Sequence, residues 1–580
     1  MAESNYWTRL SAQRVSRRRA LRGAAVAGAG IAGAALIGCG GGDEAPAAPA
    51  AQQATPAAKA TAAAKATAKP ALTEATLTSA IGSDIGSGDP QSLGGTGGGN
   101  WPNTDTHFVH AGLLDIDQES RKLVANFAES WEAAPDQLSF VYKLRKDVTF
   151  HNGDPLTAED VKFSMDRGAL GQAAYNKDYK GGHSAQFASL VKNAEVIDKH
   201  TVKFNMLKPD VIFLRRGLFL VPKAHIEKVG DVVYAEKPVG AGPFKFVSRV
   251  PDSQMVSERY DGYYGKPDKP TVSGVHQPFI KRLVQKVIPD SQARLAALQA
   301  GEVDLVHNVA SDIAKQLEKD PKFTAFFLSG DQPMHIHINT ALEKDPATGQ
   351  PNPWRDKRVR MAANLAVDLD GIIKGILTGK ERPSYGSSST SVGFPKDLPQ
   401  QRFKQDKAEA KKLLAAAGHE KGFDAKLWGP GGRWPNSRTV MEVVGQSLTD
   451  IGIKTTLQEL QYQEVTTRFK DRSLYPLCFW GMSGGDDPGA NFRFGYHSGG
   501  NYTMSTPSKE IDALIEKSEG EFDPAKRSEL LGEIIKKFYL DAQWIFLYEP
   551  VTVVVTNKKW NWAIHKKTLS NPEYWRIQPA

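Results

Sequence analysis

The chain has 580 residues, 40% of them apolar, and a formal net charge of +8. Residues 1–39 carry six arginines against one glutamate, which leaves +3 for the remainder and gives no footing for a nucleic-acid partner. Its two cysteines, Cys39 and Cys478, are too few for a cysteine metal cluster.

Taken in order, Ser16-Arg17-Arg18-Arg19-Ala20-Leu21-Arg22 precedes a weakly apolar run, Gly23 to Gly38, that ends in Leu36-Ile37-Gly38-Cys39. The run is Gly/Ala-rich and shorter than the ~20 strongly apolar residues that span a bilayer, so residues 1–38 read as an export leader that is removed. This order resembles a twin-arginine signal peptide joined to a bacterial lipoprotein cleavage box, with Ala20 where the pattern usually has Phe. The resemblance implies that Cys39 becomes the first mature residue and bears a lipid that holds the protein at the outer face of the cytoplasmic membrane. With Cys39 so used, Cys478 has no disulfide partner. Residues 39–73 are mostly Ala, Pro, Thr, Gln and Lys, a composition that cannot bury enough surface to order itself. They are expected to form a disordered spacer with a reach of roughly 30 Å.

The rest of the chain is too long for one core and suits two or three lobes. Ala75 to Ile81 alternates as a strand, and the glycine-rich stretch Gly94 to Asn100 is read as a loop bearing Trp101, since it lacks the Gly-Lys-Ser/Thr ending of a phosphate loop. From Asn126 to Arg167, Leu138, Phe140, Tyr142 and Leu144 alternate as a half-buried strand. Asn152-Gly153-Asp154-Pro155 makes a turn, and Thr157 with Asp160 forms a capping box that opens a helix. This segment resembles the signature of the family 5 solute-binding proteins of ATP-binding-cassette importers, which include dipeptide-, oligopeptide- and nickel-binding proteins.

The resemblance continues through "PVGAGPFKFV" from Pro238, "VIPDSQARLAALQAGEVDLV" from Val287 and the long stretch from His335 to Lys380. Val359, Ala362, Ala363 and Ala366 recur at helical spacing, and further helices are signalled by Asp406 with Gly418, Ser437 with Gly452, and Asp523-Pro524. Alternating strands and helices argue for α/β lobes. The family resemblance implies a two-lobed periplasmic-binding-protein-like fold of the class II type, with a hinge between the lobes and an extra subdomain in lobe I. The expected segments are 74–112, 231–333 and 548–580 for lobe I, 113–230 for the subdomain and 334–547 for lobe II. The implied function is capture of a peptide or similar organic solute in the cleft and delivery to permease subunits served by a cytoplasmic ATPase. A monomer without cofactor is expected. Oligosaccharide- or nickel-complex-binding members are the alternatives within the family.

Candidate ligand-binding residues are Trp101, Tyr385, Trp428, Trp434, Trp480 and Phe492, aromatics in or beside predicted loops, and Arg433, whose planar fork suits a carboxylate. After Trp480 the resemblance implies a cleft loop with an Asp-Pro step, here Asp487-Pro488. Peptide-binding members commonly place an amine-binding aspartate two or three positions after the tryptophan, where this chain has Met482 and Ser483; Asp486 is the alternative anchor. Gly481-Met482-Ser483-Gly484-Gly485 also fits a hydrolase nucleophile elbow, but Asp486-Asp487-Pro488-Gly489 breaks the chain where the elbow needs a helix, so an enzyme is not expected. His335 and His337 share one face of a predicted strand, a spacing able to chelate metal, but no third ligand is evident and no metal is expected.

Overall fold

The computed structural model describes residues 71–82, 87–91, 109–117, 122–170, 175, 190–215, 218–330, 332–482, 487–500, 502–506, 508–562 and 573–580. The expected leader, the expected lipidation site Cys39 and nearly all of the expected spacer lie outside these residues. Among the described residues no helix is long and apolar enough to cross a membrane.

Two sheets organise residues 71–580, and the middle strands of each are buried on both faces. The first has seven strands in the spatial order Phe323–Ser329, Val551–Asn557, Leu305–His307, Thr76–Ile81, Arg282–Val287, Gln254–Arg259 and Phe244–Val250. Its central strand, Thr76–Ile81, runs parallel to both neighbours. Alternate residues feed separate cores: Leu77, Leu283 and Val554 on one side, Ala80, Val306 and Val555 on the other. Helix Ser291–Ala300 covers the second side, opened by Asp290, whose carboxylate accepts from the Ala293 N–H, and closed by Gly301.

The second sheet orders Ile453–Leu460, Phe423–Pro430, Leu477–Gly481, Met334–Ile338 and Trp544–Phe546. Its helix Lys357–Ala366 buries Val359, Ala362, Ala363 and Ala366, the stripe that the helical spacing predicts. Helix Pro524–Leu540 is opened by Asp523, which accepts from the Ala525 and Lys526 N–H groups. Ser437 begins helix Ser437–Asp450 but does not cap it. Asn436 takes the cap position in a left-handed conformation, φ 58°, so Ser437 enters the first turn and is buried.

A third, four-stranded antiparallel sheet stands apart within residues 128–206, in the order Ala128–Ala133, Ser139–Leu144, Thr201–Met206, Val191–Asp198. Phe140, Tyr142, Leu144, Val202 and Phe204 point to one buried side, where helix Ala158–Met165 packs. That helix begins with the capping box that the pattern predicts. Asp160 reaches back to the Thr157 N–H at 2.9 Å, and the Thr157 hydroxyl also donates to the same carboxylate at 2.8 Å.

The chain passes from the seven-stranded to the five-stranded sheet between Ser329 and Met334, and returns between Phe546 and Val551. The two passages are bonded to each other: the Gly330 N–H donates to the Pro550 carbonyl at 2.8 Å, and the Leu547 N–H to the Met334 carbonyl at 3.2 Å. Gly330 makes this approach possible, since a Cβ there would lie 2.7 Å from Pro550 Cγ. The result is an α/β, two-lobed architecture of the periplasmic-binding-protein type.

Candidate functional site

The strand Leu477–Gly481 is buried throughout, and its two faces differ in chemistry. Leu477 and Phe479 join an aliphatic core with Ile336, Ile338, Leu427, Val440 and Val444. Cys478 and Trp480 face the other way, into an aromatic core with Phe469, Phe538, Tyr539 and Trp544. Antiparallel pairing sets Trp480 opposite His335, Cys478 opposite His337 and Gly481 opposite Met334. Since Met334 is the first strand residue after the passage between lobes, the Trp480 end of this strand lies at the lobe boundary.

An aromatic group is assembled there. Trp480 stacks nearly parallel to Tyr462, at 5.4 Å and 6°, and to Tyr502, at 6.0 Å and 20°, with Phe469 at 5.0 Å. The edge of Trp434 meets Trp480 at 5.5 Å, and its indole N–H donates to Gln332 Oε1, in the first passage, at 3.2 Å. The Arg433 guanidinium lies 4.4 Å over the Tyr462 ring. Burial holds Arg433 below its usual pKa, with Tyr462 opposing. Trp428 is tied down by its indole N–H, which donates to the Tyr475 carbonyl at 2.7 Å, and Arg468 lies 5.2 Å over its ring. Helix Tyr462–Lys470 therefore supplies Tyr462, Arg468 and Phe469 to one surface.

The structure thus brings together Arg433, Trp434 and Trp480, three of the sequence candidates, while Trp428 stands beside Cys478 on the same sheet, tied to Tyr475. Trp480 is only 5% exposed, so it serves as the backing of the group, while Trp428, Arg433, Trp434, Tyr462 and Tyr502 remain half-buried. Tyr385 and Phe492 stand elsewhere, inside the aromatic core. Tyr385 packs on Phe394 and Tyr539, and Phe492 on Tyr496 at 4.6 Å. Their place beside predicted loops does not make them accessible. Asp487 does not reach out as a ligand anchor: Arg527 grips both its carboxylate oxygens, one through Nη2 at 2.8 Å and the other through Nη1, and the carboxylate also caps the Gly489 N–H at 3.0 Å. Trp101, Ser483 and Asp486 lie outside the described residues. Tyr462, Tyr502 and Gln332 were not singled out by the sequence. Tyr462 had a faint signal, as an aromatic directly after a strand, whereas Gln332 had none.

The two histidines do share a face, but it looks into the core. His335 stacks on Trp544 at 3.9 Å and His337 at 4.3 Å, and among the described residues neither ring nitrogen of His335 has a hydrogen-bond partner. Burial lowers both, His337 to about 3, so the pair is neutral at ordinary pH. Among the described residues no group of three His, Cys, Asp or Glu could hold a metal ion. A separate cavity of about 780 Å³ in the five-stranded lobe is lined by Arg355, Lys357, Arg360, Glu510, Lys537 and Asp541 among others. Its charges satisfy one another: Arg360 pairs with Asp541 at 2.9 Å and Lys537 with Glu510 at 2.7 Å.

Most of the Gly481–Gly485 stretch, residues 483–485, lies outside the described residues, and the helix Gly489–Gly495 begins after Asp487-Pro488. Comparisons with known proteins agree with a binding role. "Heme-binding protein A" of Haemophilus influenzae is 29% identical over 470 residues, covering 76% of this chain and 82% of that protein. The "Dipeptide-binding protein" of Escherichia coli is 27% identical over 448 residues, 72% and 79% of the two chains. In fold, the chain is similar to NikA from Brucella suis in complex with Fe(III)-EDTA, with a TM-score of 0.74 at 22% identity over 87% of this chain and all of that one. DppA from Helicobacter pylori in complex with the peptide STSA gives a TM-score of 0.72 at 23% identity, covering 87% and 98%. Residues 122–504 match the family model described as "Bacterial extracellular solute-binding proteins, family 5 Middle", and the chain belongs to that family.

Proposed function

We propose that this substrate-binding protein of an importer is a lipid-anchored receptor that closes over a peptide or a similar carboxylate-bearing solute at the lobe boundary. The observation that carries this reading is the half-buried group Arg433, Trp434, Tyr462 and Tyr502, backed by Trp480 and linked to the lobe passage through Gln332. Aromatic faces take apolar side chains by stacking, and a guanidinium over a ring keeps its fork in position for an anionic group. Relatives named for dipeptides and oligopeptides support a peptide cargo, whereas relatives named for heme and glutathione mark the breadth of the family. Cys39 would hold the receptor beside its permease, with residues 39–73 as tether.

Mass spectrometry of protein purified from its host would identify the cargo. A peptide recovered intact, whose re-addition raises the melting temperature, supports the proposal. A cargo without a carboxylate, or one whose stabilisation survives Arg433→Ala undiminished, would sink the role given to Arg433. Vesicle flotation tests the anchor: Cys39→Ser should leave the protein in the soluble fraction.

A further inference from the structure

The four-stranded subdomain meets the other lobe at a contact separate from the aromatic group. Beyond strand Thr201–Met206, residues 207–213 leave the subdomain sheet. Asp210, 3% exposed, accepts from the N–H groups of Ile212 at 2.8 Å and Phe213 at 2.9 Å and so fixes a turn. The Val211 N–H donates across to the Glu519 carbonyl at 2.9 Å. Glu519 ends helix Lys509–Glu519, whose last carbonyls have no partner within the helix, so the subdomain caps a helix of the opposite lobe. The Glu519 carboxylate, itself held by Arg493 through Nε at 2.8 Å and Nη2, lies 3.7 Å from Lys208 Nζ. Ile212 seats against the start of helix Gly489–Gly495. A Cβ on Gly489 would lie 3.0 Å from Ile212 Cδ1, so the two segments are about as close as glycine permits.

This contact is well formed yet separable. Among the described residues it consists of one interlobe backbone hydrogen bond, one partly exposed ion contact and one apolar seat. Each polar part contributes little net free energy, because water replaces it when the surfaces part. It also adjoins the Asp487-Pro488 step, since Gly489 is bonded to Asp487, and Arg527, which grips Asp487, donates from Nε to the Ser518 carbonyl at 3.0 Å.

We propose that the turn at residues 207–213 is a closure latch, by which the subdomain grips Glu519 and holds the two lobes shut through contacts that do not touch the cargo. The latch sets the open-to-shut ratio before any ligand arrives.

Double electron–electron resonance on the full chain tests this, with no cargo added. Spin labels are placed at Ile197→Cys in the subdomain and Lys412→Cys in the other lobe, both exposed, in a Cys39→Ser background where Cys478 is buried and stays unlabelled. Val211→Pro deletes the donor and Lys208→Glu sets like charges together. Each should move the population to longer distances, raising the open-to-shut ratio about fivefold. Lys208 is at the surface, so Lys208→Glu decides the matter if Val211→Pro fails to fold. Distance distributions of the folded variants that superimpose on the parent's would overturn the latch.

Discussion

In the middle strands of the five-stranded sheet the two faces are both buried and differently composed. One is filled by Ile336, Ile338, Leu427, Leu477 and Phe479, the other by His335, His337, Cys478, Trp480 and Trp544. An aliphatic face can only be packed. An aromatic face is packed in its middle and becomes a stacking surface where it runs out at the lobe boundary, so one cluster supplies both core and candidate site. Stability lost on the first face should leave recognition intact, and changes at the rim of the second should do the reverse.

The largest effect should come from the ion pair behind the aromatic face. Arg527→Met leaves the Asp487 carboxylate buried without its partner and should cost about 3–5 kcal/mol in denaturant unfolding. On the aliphatic face, Leu427→Ala removes a fully buried side chain and should cost about 2–5 kcal/mol, with cargo affinity of the folded protein unchanged by calorimetry. An equal loss of affinity would break the division between the faces.

The histidines sharpen the comparison through pH. Their folded pKa values are depressed, so the unfolded chain binds more protons below its own value near 6.5. Their stability contribution is complete above that pH and falls as pH drops toward the folded value of about 3 for His337. Between pH 6.5 and 5 the loss attributable to His337 should be about 2 kcal/mol, and His337→Phe should flatten the profile in that window. A profile unchanged by the substitution would mean that the pair does not titrate with unfolding. At the rim, Tyr462→Ala should weaken cargo binding by about 0.5–1.5 kcal/mol, with a similar or smaller change in stability. Gln332→Ala should have the smallest effect, about 1 kcal/mol or less, read as faster cargo release.

What the sequence disclosed depended on how far apart the interacting residues stand. Asp406 with Gly418, Asp523 with Pro524, and the Val359 to Ala366 stripe are local signals, and each appears where the spacing predicts. Asn436 was hidden because a serine beside it is the commoner cap, and only the left-handed backbone decides between them. The site was legible as a set of residue types and illegible as an arrangement. Arg527 finds Asp487 forty positions away, and Gln332 finds Trp434 across a lobe boundary, pairings that no periodicity encodes. Tyr385 and Phe492 show the converse. An aromatic near a loop is counted as accessible by pattern, whereas packing on Tyr539 and Tyr496 encloses it.

The bonds from Gly330 to Pro550 and from Leu547 to Met334 make the two passages act as one ribbon. A ribbon of two paired chains bends across its flat side more readily than it shears, which favours a hinge over sliding of one half past the other. Such a hinge predicts that the angle between the halves widens with guest size, and distance measurements across the lobes with cargoes of increasing bulk would check it.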